Sequence, residues 1–70
     1  MKYVYIIEKA ADGSYSAYVP DLRGCTTCGE SPQEVRQNMK DAIALYIDSL
    51  REHMEPIPTP SSLADVIEAT

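Results

Sequence analysis

The segment Tyr3-Val4-Tyr5-Ile6-Ile7-Glu8-Lys9-Ala10-Ala11-Asp12-Gly13-Ser14-Tyr15-Ser16-Ala17-Tyr18-Val19-Pro20 decides the fold. Lys2 to Lys9 is rich in Tyr, Val and Ile, the composition of a β-strand. Tyr15 to Val19 reads the same way, and Pro20 ends it because proline has no N–H to give a ladder. Asp12-Gly13 between the two runs signals a hairpin, since both central residues of a type I′ turn need positive φ. A two-residue loop there pairs Ala11 with Ser14, Lys9 with Ser16, Ile7 with Tyr18 and Ile6 with Val19. Successive strand residues point to opposite faces. One face then carries Val4, Ile6, Ala17 and Val19, and the other carries Tyr3, Tyr5, Ile7 and Tyr18. Both faces of the first strand are apolar, whereas a sheet with one wet side alternates apolar with polar. The aliphatic face is expected to meet a helix. The tyrosine face is expected to meet another polypeptide, because contiguous aromatic rings with polar tips are interface composition.

Asp21-Leu22-Arg23-Gly24 reads as a turn and Cys25 to Cys28 as a short third strand, with Gly29 and Glu30 leading out of it. Ser31-Pro32-Gln33-Glu34 is a helix start: a hydroxyl cap, proline at the first helical position and the glutamate of a capping box. Val35, Met39, Ala42, Ile43, Tyr46, Ile47, Leu50 and Met54 then lay one apolar stripe along a helix. From Pro32 to about Met54 that helix is about 33 Å long. Pro56, Pro58 and Pro60 stop it and form an extended arm. Residues 61–70 fit either a capped helix beginning at Ser62-Leu63-Ala64-Asp65 or a terminal strand. A strand over about Ala64 to Ala69 is preferred, because the arm can return the chain to the sheet edge. The expected fold is α+β, a small β-β-β-α-β domain with one helix packed on one face of a 3–4-stranded sheet.

A chain of 70 residues holds one domain and buries only about 60% of the surface it exposes when unfolded, so it needs added support. Two Cys and one His cannot build a four-ligand zinc site unaided, which leaves oligomerisation as the leading source of that support. Six Lys and Arg against eleven Asp and Glu give a net charge of −5. An acidic surface repels phosphate backbones, so no direct nucleic-acid binding is expected, and a basic protein partner suits it. No run approaches the roughly 18 apolar residues of a membrane span, and the N-terminus lacks a signal-peptide core. A cytoplasmic protein with reduced thiols is expected.

Residue types that could carry chemistry have simpler readings here. Cys25-Thr26-Thr27-Cys28 has redox-pair spacing, but strand residues three apart point to opposite faces. Two small residues filling strand positions is the plainer account. His53 falls in the last helical turn, where the dipole favours a cation. It has no Ser or Cys at the spacing of a nucleophile–base pair. Glu8, Asp21, Asp41 and Asp48 could be recruited to a nuclease metal cluster, yet only Glu8 lies on a strand, and Asp41 and Asp48 belong to the solvated side of the helix. Leu45 stands nearly opposite the apolar stripe, as an exposed residue or a contact. No catalytic residue, metal or cofactor is expected, and the chain is read as a non-enzyme.

The run Tyr15-Ser16-Ala17-Tyr18-Val19-Pro20-Asp21-Leu22-Arg23-Gly24-Cys25, followed by Thr27-Cys28-Gly29-Glu30-Ser31, resembles the HicB antitoxin family. That family's pattern is approximately Y-x-A-x-x-P-D-L-P-G-C, then T-x-G-[DE]-[ST] and a capped helix. Ala42-Ile43 with Tyr46-Ile47 resembles its helix, and Pro56 to Ser62 its proline arm, so the likeness spans nearly the whole chain. Arg23 stands where the family usually has Pro. The resemblance implies a partly degraded ribonuclease H-like fold without catalytic carboxylates. It implies an antitoxin that binds and blocks HicA, a small basic RNA-cleaving toxin, and it implies dimers or tetramers. Pro20, Asp21, Gly24 and Gly29 are expected to shape the turn and strand, and no toxin contact is carried over to them. Full-length members add a C-terminal helix-turn-helix or ribbon-helix-helix domain. Leu63–Thr70 is too short for one, so a single domain over 1–70 is expected, with a solitary homo-oligomer lacking a toxin as the alternative role.

Overall fold

The computed structural model describes residues 1–69. Strands β1 (Ile6–Lys9), β2 (Tyr15–Tyr18) and β3 (Thr26–Gly29) form an antiparallel sheet in the order β1-β2-β3, and helix α1 (Pro32–Glu52) follows. The α+β class, with one helix on one face of a three-stranded sheet, is as expected.

The hairpin corrects the expected register. The Ala10 carbonyl accepts from the Gly13 N–H at 3.0 Å, and the Ala10 N–H donates to the Ser14 carbonyl at 2.8 Å. The loop is therefore three residues, Ala11-Asp12-Gly13. Gly13 has φ +90° while Asp12 keeps a negative φ, so this is a type I turn closed by a glycine bulge rather than a type I′ turn. The Asp12 carboxylate accepts from the Ser14 N–H at 3.0 Å and its hydroxyl at 2.7 Å, which secures the bulge. The extra loop residue shifts the pairing to Ile6↔Tyr18, Ile7↔Ala17, Glu8↔Ser16 and Lys9↔Tyr15. A slip of one residue exchanges the faces of a strand. Tyr3, Tyr5 and Ile7 consequently pack against the core with Tyr15. The expected surface of Tyr3, Tyr5, Ile7 and Tyr18 does not exist as one face, because Tyr18 lies on the opposite side, paired with Ile6.

The core consists of Ala17, Val19, Leu22, Cys25, Val35 and Met39, with Ala42, Ile43, Tyr46 and Ile47 packed around it. Val35 and Met39 come from the expected helical stripe. Ser31 caps α1 by accepting from the Glu34 N–H at 3.1 Å. The Glu34 carboxylate reaches back to the N–H of Glu30, one residue earlier than a standard capping box would place it. The helix ends at Glu52, and its stop is a Schellman motif. The Glu55 N–H donates to the Leu50 carbonyl at 2.8 Å and the Met54 N–H to the Arg51 carbonyl at 3.1 Å. Met54 occupies the left-handed position at φ +54° and is 92% exposed, so it does not extend the stripe.

Among the described residues there is no fourth strand. Residues 64–69, expected to pair with the sheet, have no regular structure and project as an exposed tail. Thr70 lies outside the described residues. The tail and the helix draw the molecule out to 45 × 26 × 16 Å. Its radius of gyration is 13.5 Å, against about 11 Å for a compact domain of this length.

Candidate functional site

The motif from Pro20 to Gly29 builds three devices: a tight turn, a close approach to the helix and a long-range clasp. Leu22 is fully buried beneath the turn. Two hydrogen bonds hold it there, from the Leu22 N–H to the Val19 carbonyl at 3.2 Å and from the Cys25 N–H to the Leu22 carbonyl at 3.0 Å. Gly24 turns the chain at φ +79°, where side-chain-bearing residues are strained, and the Arg23 carbonyl accepts from the Tyr46 hydroxyl at 2.8 Å. Gly29 lets the helix start approach the sheet: a Cβ there would lie 3.1 Å from Val35 Cγ2. Asn38 closes the same side by donating to the Cys28 carbonyl at 2.9 Å.

Asp21 is the third device. Its carboxylate accepts from the N–H and hydroxyl of Ser61, both at 3.0 Å, and from the N–H and hydroxyl of Ser62, both at 2.9 Å. Those donors, the Ser62 and Ser61 amides foremost, favour the charged form and hold the carboxyl at about 2. The Tyr3 hydroxyl also donates to the Pro58 carbonyl. Together they clasp the proline arm across the end of the sheet. Sequence reasoning named Asp21 as a turn residue and residues 56–62 as an arm, but nothing local announces a contact 40 residues apart.

Among the described residues nothing covers the sheet face away from α1. Ile6, Tyr18 and Thr26 form one row across the three strands, and Glu8, Ser16 and Cys28 form the next. Ile6 is half-buried and the other five are exposed, with Tyr18 at 42%. Glu8 is the one charge among these six. Ile6 and Thr26 were missed as candidates because the expected register placed Ile6 inside.

Both cysteines are free, and they face opposite sides: Cys25 is buried, which pushes its thiol pKa up, and Cys28 is exposed. His53 caps the helix end with Nδ1 2.8 Å from the Ser49 carbonyl oxygen. Asp41 sits 3.5 Å from Gln37 Nε2, and Asp48 pairs loosely with Arg51 at 3.8 Å, both on the solvated helix side. Leu45 is exposed there as well. Among the described residues no three His, Cys, Asp or Glu side chains stand close enough to hold a metal ion. No described helix is long and apolar enough to cross a membrane.

Fold and motif place the chain among small α+β modules built on an antiparallel sheet with a single helical lid. More narrowly, it belongs to the family described as HicB-like antitoxin of bacterial toxin-antitoxin system, whose profile matches residues 3–70. A UPF0150 protein of Thermoplasma acidophilum is 50% identical over 58 residues, covering 83% of this chain and 84% of that protein. A UPF0150 protein of Synechocystis is 43% identical over 56 residues, covering 80% and 71%. An uncharacterised 14.9 kDa protein of Haemophilus phage HP1 is 36% identical over 67 residues, covering 96% of this chain and 50% of the phage protein. Membership supports an antitoxin-like role, with a toxin as the kind of partner.

Proposed function

We propose that the chain binds and neutralises a small basic RNA-cleaving toxin of the HicA type, in the cytoplasm and without chemistry of its own. The observation that carries this reading is the uncovered row Ile6–Tyr18–Thr26 on an acidic member of an antitoxin family. The row offers an apolar centre, with an aromatic ring of the kind that anchors interfaces. The net charge of −5 supplies long-range attraction to a basic partner. The RNase H-like ancestry implied by the motif fits a sheet that once held a nuclease centre and now offers its surface.

The test is inhibition of a HicA-type ribonuclease by the purified chain. Stoichiometric loss of RNA cleavage, weakened by added salt as steering is screened, is the expected result. Cleavage that continues undiminished at tenfold molar excess of the chain rejects the reading.

A second reading is a solitary homo-oligomer that serves a regulatory or structural role. It is favoured by the exposed apolar tail, where Leu63, Val66 and Ile67 are left in water. A homo-oligomer in solution that binds no such toxin would favour this second role over the first.

A further inference from the structure

The exposed tip of the hairpin holds a peptide bond prone to spontaneous rearrangement. An aspartate side chain can be attacked at Cγ by the main-chain nitrogen of the next residue. The N–Cγ bond forms, a C–O bond of the carboxyl breaks, and the amide proton leaves with the hydroxyl as water. Water then opens the five-membered ring. Opening at Cγ restores aspartate, and opening at the α-carbonyl gives isoaspartate, whose main chain runs through Cβ and Cγ. The ring closes fastest before glycine, because no side chain hinders the attacking nitrogen. Asp12 precedes Gly13, whereas Asp21, Asp41, Asp48 and Asp65 precede Leu22, Ala42, Ser49 and Val66. Space around Gly13 is open, with nothing within 4 Å of where a Cβ would stand.

The folded hairpin withholds both reacting groups. Asp12 Oδ1 accepts from the Ser14 N–H at 3.0 Å and from the Ser14 hydroxyl at 2.7 Å, so the carboxylate is tied to the residue beyond Gly13. Those bonds, the hydroxyl foremost, favour the charged form and lower the Asp12 pKa. Ring closure consumes the neutral acid, because hydroxyl must depart. On the other side, the Gly13 N–H donates to the Ala10 carbonyl at 3.0 Å, which engages the proton that the attacking nitrogen must lose. The Ala10 N–H, bonded to the Ser14 carbonyl at 2.8 Å, closes the loop behind them.

We propose that Asp12–Gly13 is a backbone-isomerisation site that Ser14 keeps shut while the hairpin tip is folded. The gate is local: a solvent-exposed tip opens at far lower free energy than the whole domain unfolds. Each opening frees the Asp12 carboxyl and the Gly13 nitrogen together. The product matters because of where it forms. Isoaspartate adds one carbon to the main chain inside the loop, so the two Ala10 bonds lose the spacing that closes a three-residue loop. The register those bonds set places Tyr3, Tyr5 and Ile7 against the core. A converted chain therefore loses the pairing that its packing depends on. The site acts as a clock on the age of the chain, independent of any partner.

The test incubates the full chain for weeks at mildly acidic pH and physiological temperature. Isoaspartate is read by enzymatic methylation with a labelled methyl donor, followed by peptide mapping. Ser14→Ala removes the hydroxyl bond, Ser14→Thr keeps a hydroxyl, and Ser31→Ala weakens the helix start while leaving the loop intact. Label is expected in the peptide that contains Asp12, at least fivefold faster in Ser14→Ala than in wild type. Ser14→Thr and Ser31→Ala are expected to label at the wild-type rate, and Asp12→Glu, whose ring would have six members, to lose the label. Converted chains, separated by reversed-phase chromatography and refolded, are expected to melt below unconverted ones. A Ser14→Ala rate equal to wild type overturns the proposal. So does equal acceleration in Ser31→Ala, which makes global unfolding the gate, or a wild-type rate that matches the chain in urea. Label centred on another aspartate, or equal melting of converted and unconverted chains, overturns it as well.

Discussion

Met54→Gly should stabilise this protein, although it removes a large apolar side chain. Met54 stands at φ +54° at the left-handed position of the helix stop. A side-chain-bearing residue costs about 1–2 kcal/mol there, because its Cβ crowds the following carbonyl oxygen. Glycine removes that cost. It adds backbone freedom to the unfolded chain, which offsets about 0.5–1 kcal/mol. The methionine side chain is 92% exposed, so no burial is forfeited. The two backbone bonds that define the stop, Glu55 to Leu50 and Met54 to Arg51, do not involve the side chain and persist. The net gain is about 0.5–1 kcal/mol, which for a domain of this size raises the melting midpoint by about 2–8 °C. Thermal unfolding followed by circular dichroism measures it, with Met54→Ala as the control that keeps the strain. A midpoint for Met54→Gly that falls, or that merely equals the Met54→Ala midpoint, refutes the assigned helix stop.

Four further substitutions and one titration test other parts of the structure. Tyr5→Glu should lower the melting midpoint, because its ring packs on the core, whereas Tyr18→Glu should leave the midpoint within error and weaken toxin binding; the reverse order would restore the two-residue hairpin register. Gly29→Ala should cost about 1–3 kcal/mol by overpacking, since the new methyl would press on a fully buried Val35; an unchanged urea midpoint would mean that the helix start can yield. The Asp21 carboxyl should titrate with a midpoint near 2 by carbon-detected NMR. Its pKa is lower folded than unfolded, so its stabilising effect is complete above about pH 4 and is lost as pH falls from there through about 2. A midpoint near the free aspartate value, or Ser61 and Ser62 amides that exchange no faster in Asp21→Ala, would remove the clasp.

Legibility in the sequence follows the range of each interaction. Ser31-Pro32-Gln33-Glu34 announces the helix because a cap is settled within four residues, and Val35 and Met39 follow from period alone. Pro20 and Gly24 are recognisable as turn residues for the same reason, whereas the close approach of the helix at Gly29 shows only in the structure. Asp12-Gly13 marks the hairpin but not its loop length: the dipeptide serves a two-residue turn or the last two positions of a bulged three-residue loop. Both faces of β1 are apolar, so the pattern that normally arbitrates register is silent there. That single ambiguity moved Tyr3, Tyr5 and Ile7 from surface to core. The clasp is a different case. Asp21, Ser61 and Ser62 are ordinary polar residues whose meeting depends on where the proline arm ends, which is a tertiary fact. The tail keeps strand-compatible composition without a strand beside it, so composition alone overstated the sheet.

The glycine-bulged loop has an evolutionary corollary. Because β1 offers a hydrophobic side in either orientation, deleting one residue among Ala11, Asp12 and Gly13 would invert which side chains a partner meets while leaving every strand residue unaltered. Specificity in such a module can therefore change by an indel at a hairpin tip, remote from the surface it rewrites.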